Sequence, residues 1–399
     1  MLCSHLKLST PTLAVTQARA LRSDRLKFTI FGLTLSSSWG NGHATPYRAI
    51  LRALGAAGHQ VTFYEKDVPY YAAHRDLPSP DFCGLKLYRD WEQVRPEALE
   101  SASDSDVVVN ASYCPEGASI ASEVLSLQRP LKIFYDLDTP VTLARFREGQ
   151  TVEYVRAEQL REFDLVLSWT GGRALDELRE SWQVNLARPL FGCVDPDTYR
   201  REPERSEFQC ALSYMGTYAN DRQEKLDRLF LEPSRQRRDL QFLLAGSLYP
   251  WGWQWGENVK KLEHVAPSDH PALYSSSRCT LNITRADMAE SGYCPSGRFF
   301  EAAACATPII SDWFDGLDHF FTPAEELFVA HNAEDTLRAL DESPEVLGRM
   351  AARARQRTLD EHTGSHRAEQ LLHFCEEARS GRNEAWRAQD AQNNLREVA

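Results

Sequence analysis

Pro295-Ser296-Gly297-Arg298-Phe299-Phe300-Glu301-Ala302-Ala303-Ala304-Cys305-Ala306-Thr307-Pro308-Ile309-Ile310-Ser311-Asp312 sets a small flexible turn, a guanidinium and a carboxylate at the start of an alanine-rich helix. The helix ends at Thr-Pro and runs into a β-branched strand. Ser296 is a good N-cap residue, and the free N–H groups of a helix start attract phosphate. Arg298 adds a permanent planar cation that can grip two phosphate oxygens. Glu301, one turn further, can accept hydrogen bonds from two vicinal hydroxyls such as a ribose presents. Taken alone, the spacing fits an ordinary capped helix with a surface ion pair equally well.

Two neighbouring stretches favour the ligand-binding reading. Gly216-Thr217-Tyr218-Ala219-Asn220-Asp221-Arg222 stands where a strand meets its helix, the favoured place for phosphate in open α/β sheets. Gly216 lets backbone approach a ligand closely, and Arg222 supplies a second cation. Asn282-Ile283-Thr284-Arg285 puts a third Arg at a strand's carboxyl end. Gly216, Thr217, Arg222, Arg285, Ser296, Gly297, Arg298 and Glu301 thus form one candidate set for phosphate and diol.

Outward from this set, short β-branched runs alternate with helical patterns, the signal of βαβ units and parallel sheets. Strands are expected at Lys27–Leu33, Gln60–Tyr64, Asp106–Asn110, Leu131–Tyr135 and Leu165–Ser168, with helices at Pro46–Ala57 and Ala118–Leu127 and one opened by Gly171-Gly172. A second series follows: strands Ala211–Met215, Leu240–Ala245, Thr280–Thr284 and Glu325–Val329, and helices Arg222–Phe230, Pro271–Tyr274, Ala333–Leu340 and Pro344–Glu361. The expected organisation is a tail over residues 1–24, an α/β domain over 25–190 and a Pro- and Arg-rich linker over 191–207. A second α/β domain over 208–366 and a charged terminal helix and tail over 367–399 complete it. Two α/β domains joined by one linker place a ligand in the cleft between them, at the carboxyl ends of the strands.

The first half offers candidates for the opposite wall. Gly40-Asn41-Gly42-His43 follows the first strand; Gly42 lets backbone approach a sugar or phosphate, and His43 can act as a base or a phosphate contact. The absence of a third spaced Gly makes this a weak dinucleotide signal and argues against an oxidoreductase. Asp136 and Asp138 follow a strand and are expected to face the cleft, where a carboxylate can deprotonate a hydroxyl or steady developing positive charge. Asp138 is the first choice; an Asp-Thr-Pro turn that caps the next helix is the plain alternative. Tryptophans 39, 169, 251, 253 and 255 are read mainly as packing.

Composition narrows the function. The formal net charge of -12 over 399 residues argues against a nucleic-acid partner, because phosphate backbones are bound by clustered Lys and Arg. Nine scattered cysteines with no C-x-x-C pair indicate thiols in a reducing compartment rather than zinc or disulfides. No apolar run long enough for a signal peptide or a membrane span occurs, so a cytoplasmic protein is expected.

The stretches 212–218, 281–285, 295–305 and 315–321, with Tyr135-Asp136-Leu137-Asp138-Thr139-Pro140, resemble the spore-maturation CgeB-type group of GT-B glycosyltransferases, related to glycosyltransferase family 4. The resemblance covers most of residues 210–345. It implies two Rossmann-like domains with parallel sheets facing a cleft, a UDP- or GDP-linked sugar donor in the C-terminal domain and a hydroxyl-bearing acceptor, a small molecule or glycan, mainly in the N-terminal one. It further implies Glu301 on the donor ribose, Arg222 and Arg298 on the diphosphate, and no metal or other cofactor. The expected activity is metal-independent sugar transfer with retention. The alternatives are a nucleotide-sugar epimerase or hydrolase on the same fold, or a non-catalytic nucleotide-sugar-binding protein. Two departures stand out: Tyr293 occupies the position eight residues before Glu301 where the retaining relatives carry a second Glu, with Glu290 nearby, and Ala306 replaces the usual Gly at the helix end.

Overall fold

The computed structural model describes residues 25–40, 42–250, 252 and 255–397, with 383–397 as backbone alone. The expected tail over 1–24, Asn41, Trp251 and Trp253 lie outside the described residues. Among those described, the strands form two all-parallel sheets. The first contains β1 (Lys27–Gly32), β2 (Gln60–Lys66), β3 (Gly84–Tyr88), β4 (Val107–Ala111), β5 (Leu131–Asp136), β6 (Leu165–Ser168) and β7 (Ala187–Pro189), in the order β3-β2-β1-β4-β5-β6-β7. The second contains β8 (Cys210–Met215), β9 (Phe242–Ala245), β10 (Val259–Leu262), β11 (Ser277–Asn282), β12 (Ile309–Ser311) and β13 (Phe328–Val329), in the order β10-β9-β8-β11-β12-β13. Central strands such as Val107-Val108-Val109-Asn110-Ala111 are buried at every residue, as expected of a parallel sheet covered on both faces.

β3, β7 and β10 have no counterpart among the expected strands. All three lie at sheet edges, where Lys and Pro replace the apolar run. The helix Trp91–Asp104 also escapes the sequence pattern. It carries Pro96 and buries only Trp91, Ala98 and Ala102, too few for an apolar stripe. The helix expected over Arg222–Phe230 runs further, as a helical path from Asn220 to Gln236 with a π turn at Asp227–Leu231. Pro233 follows that turn and has no N–H to offer the preceding one, which accounts for the local widening.

The chain passes between the two halves twice. After the first passage through Phe191 and Val194 it returns at His362, where Val194 N–H donates to His362 O and Gly364 N–H donates to Val194 O, both at 3.0 Å. The long helix Gly364–Glu397 then packs on the first sheet. Ala368, Leu371, Leu372, Cys375 and Ala378 join the apolar cluster of Phe28, Ile30, Leu54 and Val107. Buried Arg367 fastens the junction, its Nε donating to Phe191 O at 3.0 Å. No helix among the described residues is long and apolar enough to cross a membrane.

Ala306 takes the strained geometry its position demands, with φ at 54°. Thr307 N–H donates to Ala302 O and Ala306 N–H to Ala303 O, at 3.0 and 2.9 Å, closing the helix Gly297–Ala304 by a left-handed turn usually made by Gly. The left-handed conformation costs an L residue about 1–2 kcal/mol, part of which Gly gives back as chain entropy. Ala306→Gly is therefore expected to raise stability by a few tenths to about 1 kcal/mol. A urea midpoint that falls would contradict this.

Candidate active site

Strand order reverses direction between β1 and β4 in the first sheet and between β8 and β11 in the second. At such switch points the following loops part and leave a crevice. Loops after β1, β5 and β6 on one side, and after β8, β9, β10 and β11 on the other, enclose one cavity of about 450 Å³. Gly42, His43, Asp138, Gly216, Thr217, Arg222, Arg285, Ser296, Gly297, Arg298 and Glu301 all line it. Residues scattered over 260 positions of sequence are thus brought to one place.

Three guanidiniums converge on the wall made by the second sheet. Ser296 caps the helix Gly297–Ala304, and its Oγ accepts from Arg298 Nε at 3.0 Å, while Arg298 Nη1 donates to Met215 O. A Cβ on Gly216 would lie 2.8 Å from Arg298 Nη1 and 2.7 Å from Tyr214 Oη, so only Gly admits the guanidinium there. Arg222 is 8% exposed; its Nη2 donates to Thr217 O at 2.6 Å, and its buried Nε has no partner among the described residues. Burial, with Arg298 and Arg285 adding to it, pulls the Arg222 pKa below its usual value. Arg285 rests on Asp221 Oδ2 at 3.3 Å. Burial opposes its charge, but Asp221 and Asp138 outweigh it and hold its pKa up.

Glu301 stands one turn in from Arg298, and Tyr274 Oη donates to its Oε2 at 3.3 Å. Burial pushes its carboxyl up to about 7, against the pull of Arg298. Behind it, Tyr199 Oη meets His270 Nδ1 at 3.2 Å and His270 Nε2 meets Val265 O at 3.2 Å. Val265 O requires the proton on Nε2, and burial, which lowers the His270 pKa to about 4, keeps the imidazole neutral so that Nδ1 accepts from Tyr199.

On the opposite wall, Asp138 Oδ2 accepts from Tyr113 Oη at 2.8 Å and lies 3.8 Å from His43 Nε2. Burial lowers the His43 pKa, and Asp138 partly restores it. Tyr113 holds a left-handed backbone, φ 63°, and its ring lies 5.5 Å from that of His43 and 5.0 Å from that of Tyr154. Asp136 departs from expectation. It is not part of the cavity lining; it lies buried under the turn, where its Oδ1 accepts the Asp138 N–H at 3.0 Å. The need to satisfy that turn draws the carboxylate inward, and burial raises its pKa to about 7.

Tyr293 and Glu290 also stand apart from the cavity lining. Tyr293, with φ 47°, lays its ring into a hollow that only glycines can form. A Cβ on Gly171, Gly172 or Gly316 would come within 2.9, 2.9 or 2.6 Å of Tyr293 side-chain atoms. Gly171 N–H also donates to Tyr293 O at 3.0 Å, so this residue ties the two halves together. Glu290 is exposed on the helix Ala286–Ser291.

Several residues at the site carry no sequence signal. Tyr113, which holds Asp138 from behind the lining, sits outside any motif, and the cavity residues His264, Val265 and His270 follow an edge strand that the pattern does not reveal. Trp169, read as packing, lines the cavity and donates its indole N–H to Pro295 O at 2.8 Å. Trp39 stacks between His74 and His264, 3.8 Å from each ring, and so bridges the two walls at the rim.

Comparison with known proteins bears on fold and family. Residues 222–373 match a family model described as glycosyl transferase-like. No curated protein matches the chain. Among solved structures, sucrose-phosphate synthase from Thermosynechococcus elongatus is 13% identical, with a TM-score of 0.60 over 90% of this chain and 100% of that one. Anabaena HepE, solved with UDP and glucose, is 11% identical, with a TM-score of 0.63 over 88% of this chain and 100% of that one. An alpha-glucosyltransferase in complex with UDP is 11% identical, with a TM-score of 0.66 over 88% and 99%; the same enzyme was also solved with UDP-glucose and DNA. The chain therefore has the GT-B fold seen in glycosyltransferases, and its segment 222–373 matches a glycosyl transferase-like family model.

Proposed function

We propose that the protein transfers a sugar from a nucleotide-diphosphate sugar to a hydroxyl-bearing acceptor, a small molecule or glycan. The observation that carries this reading is Arg222: a buried guanidinium whose Nε is unpaired among the described residues, beside two further arginines in a cavity that also holds the buried Glu301 carboxyl. A buried cation without a counter-anion is costly, and a diphosphate supplies the missing partner. Arg222 and Arg298 hold the diphosphate, Arg285 the developing charge, and Glu301 the ribose. His43 and Asp138 face them as base and partner at the acceptor hydroxyl. UDP-linked sugars are the first donors to consider, with GDP-linked ones as the alternative, because HepE and the alpha-glucosyltransferase were solved with UDP or UDP-glucose.

Three guanidiniums already provide the positive charge that a leaving diphosphate needs, which supports turnover without a metal; EDTA should leave the rate unchanged. Retention at the reacting carbon follows from the resemblance to the CgeB-type and family-4 enzymes. One observation favours inversion instead: the His43 and Asp138 pair lies on the wall opposite the arginines, where a base can drive direct displacement of the diphosphate. The anomeric configuration of the product, read by proton NMR, decides between them. The formal charge of -12 supports an acceptor other than nucleic acid. Free cysteines, with no disulfide among the described residues, support a cytoplasmic location.

Calorimetric titration with UDP and GDP tests the donor site, with micromolar binding of one of them expected. Turnover in the presence of acceptor separates transfer from an epimerase or hydrolase, which would consume donor alone, and from a binding protein, which would consume none. Failure of both nucleotides to bind would sink the proposal.

A further inference from the structure

The loop after β4 twice adopts a backbone that side-chain-bearing residues avoid. Tyr113 and Glu116 are left-handed, with φ at 63° and 59°, a conformation that costs an L residue about 1–2 kcal/mol. Residues held against their preference in this way gather at working sites, where the surrounding structure fixes them. Glu116 has an evident occupation, since it opens the helix Gly117–Leu125 and pairs with Lys66. Tyr113 opens no helix, and its hydroxyl leads elsewhere.

Two successive residues of this loop hold two successive residues of the loop after β5. Ser112 Oγ accepts the Leu137 N–H at 3.0 Å, and Tyr113 Oη donates to Asp138 Oδ2 at 2.8 Å. The Tyr113 ring packs on His43 and on Tyr154, whose own hydroxyl is tied to Thr142 Oγ1 at 2.7 Å. The phenol therefore has one direction to point. Burial, and Asp138 after it, push its pKa well above the usual value, so it remains a donor at any working pH.

Asp138 depends on that donor. His43 Nε2, at 3.8 Å, is beyond hydrogen-bond range, and the Asp138 N–H is spent on Asp136. Oδ2 faces back to Tyr113, while the residue as a whole lines the cavity. Oδ1, with no partner among the described residues, is the oxygen left for a ligand.

We propose that Tyr113 is a positioning residue: by holding Oδ2 from behind, its hydroxyl presents Oδ1 of Asp138 to the acceptor and keeps the carboxylate from closing onto His43. The part played at the acceptor rests on the transferase reading above; the grip on Asp138 does not.

Tyr113→Phe removes the hydroxyl, keeps the ring and should melt near the parent protein. Asp136 beneath, Tyr154 behind, and Arg285 and Cys294 across the cavity also feel Asp138, and the substitution leaves all four in place. Released from Tyr113, the carboxylate turns to His43, so the His43 titration should move to higher pH. NMR of the ring nitrogens reads it, with His43→Gln to assign the signal. In an Asp138→Asn background the same loss of hydroxyl should move nothing, an outcome that altered packing alone would not give. Turnover is read as nucleotide release from UDP-glucose and GDP-mannose, with water in the acceptor's place. There Tyr113→Phe should lower kcat about 10- to 100-fold, part of what a placed base contributes, with KM for the donor within twofold. An unchanged His43 titration, or a shift that persists beside Asp138→Asn, overturns the positioning role. A shifted titration with kcat intact overturns its part in the reaction. No release from either sugar nucleotide by the parent counts against the transferase reading instead, and the His43 titration still judges Tyr113.

Discussion

Arg222→Met should weaken nucleotide binding by about 2–4 kcal/mol, or roughly 30- to 1,000-fold in Kd, without weakening the fold. The two halves of that expectation have one cause. In the free protein Arg222 is 8% exposed, crowded by Arg298 and Arg285, and its Nε is unpaired among the described residues, so its charge is a burden until an anion arrives. Methionine keeps much of the side chain's length and removes the charge. What it forfeits in the free protein is the bond from Nη2 to Thr217 O, a charge-assisted contact of about 1.5–3 kcal/mol, set against relief of a desolvation cost of several kcal/mol. The melting midpoint should hold or rise while affinity collapses. A purely structural arginine would show the reverse: lower stability, with affinity for UDP and GDP within twofold of the parent.

The second large effect is on pH. Burial raises the Glu301 carboxyl from 4.5 to about 7, and only its ionised form offers two charged oxygens to a pair of vicinal ribose hydroxyls, the stronger, charge-assisted contact. Ionised Glu301 is a minor species at pH 6 and the main one at pH 8, so nucleotide affinity should rise about tenfold over that range and then level off. Binding near pH 7 should release protons. The terminal phosphate of a free nucleotide titrates in the same region, so the measurement needs nucleotide sugars, or the difference from Glu301→Gln, whose affinity should be lower and lack this pH dependence. Stability moves the other way. A raised carboxyl pKa favours the folded state most below pH 4.5, and that advantage drains away as pH climbs to about 7, by up to about 3 kcal/mol. Glu301→Gln should flatten both curves. Parallel slopes in the two proteins would refute the assignment.

The arginine-bearing wall was legible because its parts are local. Ser296, Arg298 and Glu301 sit on one helix start, and Gly216 and Arg285 each follow a readable apolar strand, so strand-then-Gly and strand-then-Arg point to a shared sheet edge. The wall of His43 and Asp138 was not, because its decisions are made by packing. Asp136 and Asp138 are two residues apart with the same chemistry, yet hydrogen bonds from the Asp138 N–H and from the Thr142 and Ser112 side chains hold the first inward and leave the other in the cavity. Tyr113 reaches Asp138 only through a left-handed backbone that no composition rule anticipates. Edge strands such as Val259–Leu262 bury one face at most, so the loop that follows, with His264 and Val265, lacked the pattern that marks a strand end.

The second passage of the chain, at His362 to Gly364, makes the first half of the molecule discontinuous in sequence. Its sheet is finished by residues more than 170 positions downstream of β7, with Arg188 paired to Glu377 and Arg382 reaching Pro130 O at 3.0 Å. A fragment that stops near residue 190 lacks the apolar cover supplied by Leu371, Leu372 and Cys375, and its bare strands become adhesive rather than inert. Truncation is therefore a poor instrument for dividing this molecule's labour. The halves are better silenced one side chain at a time.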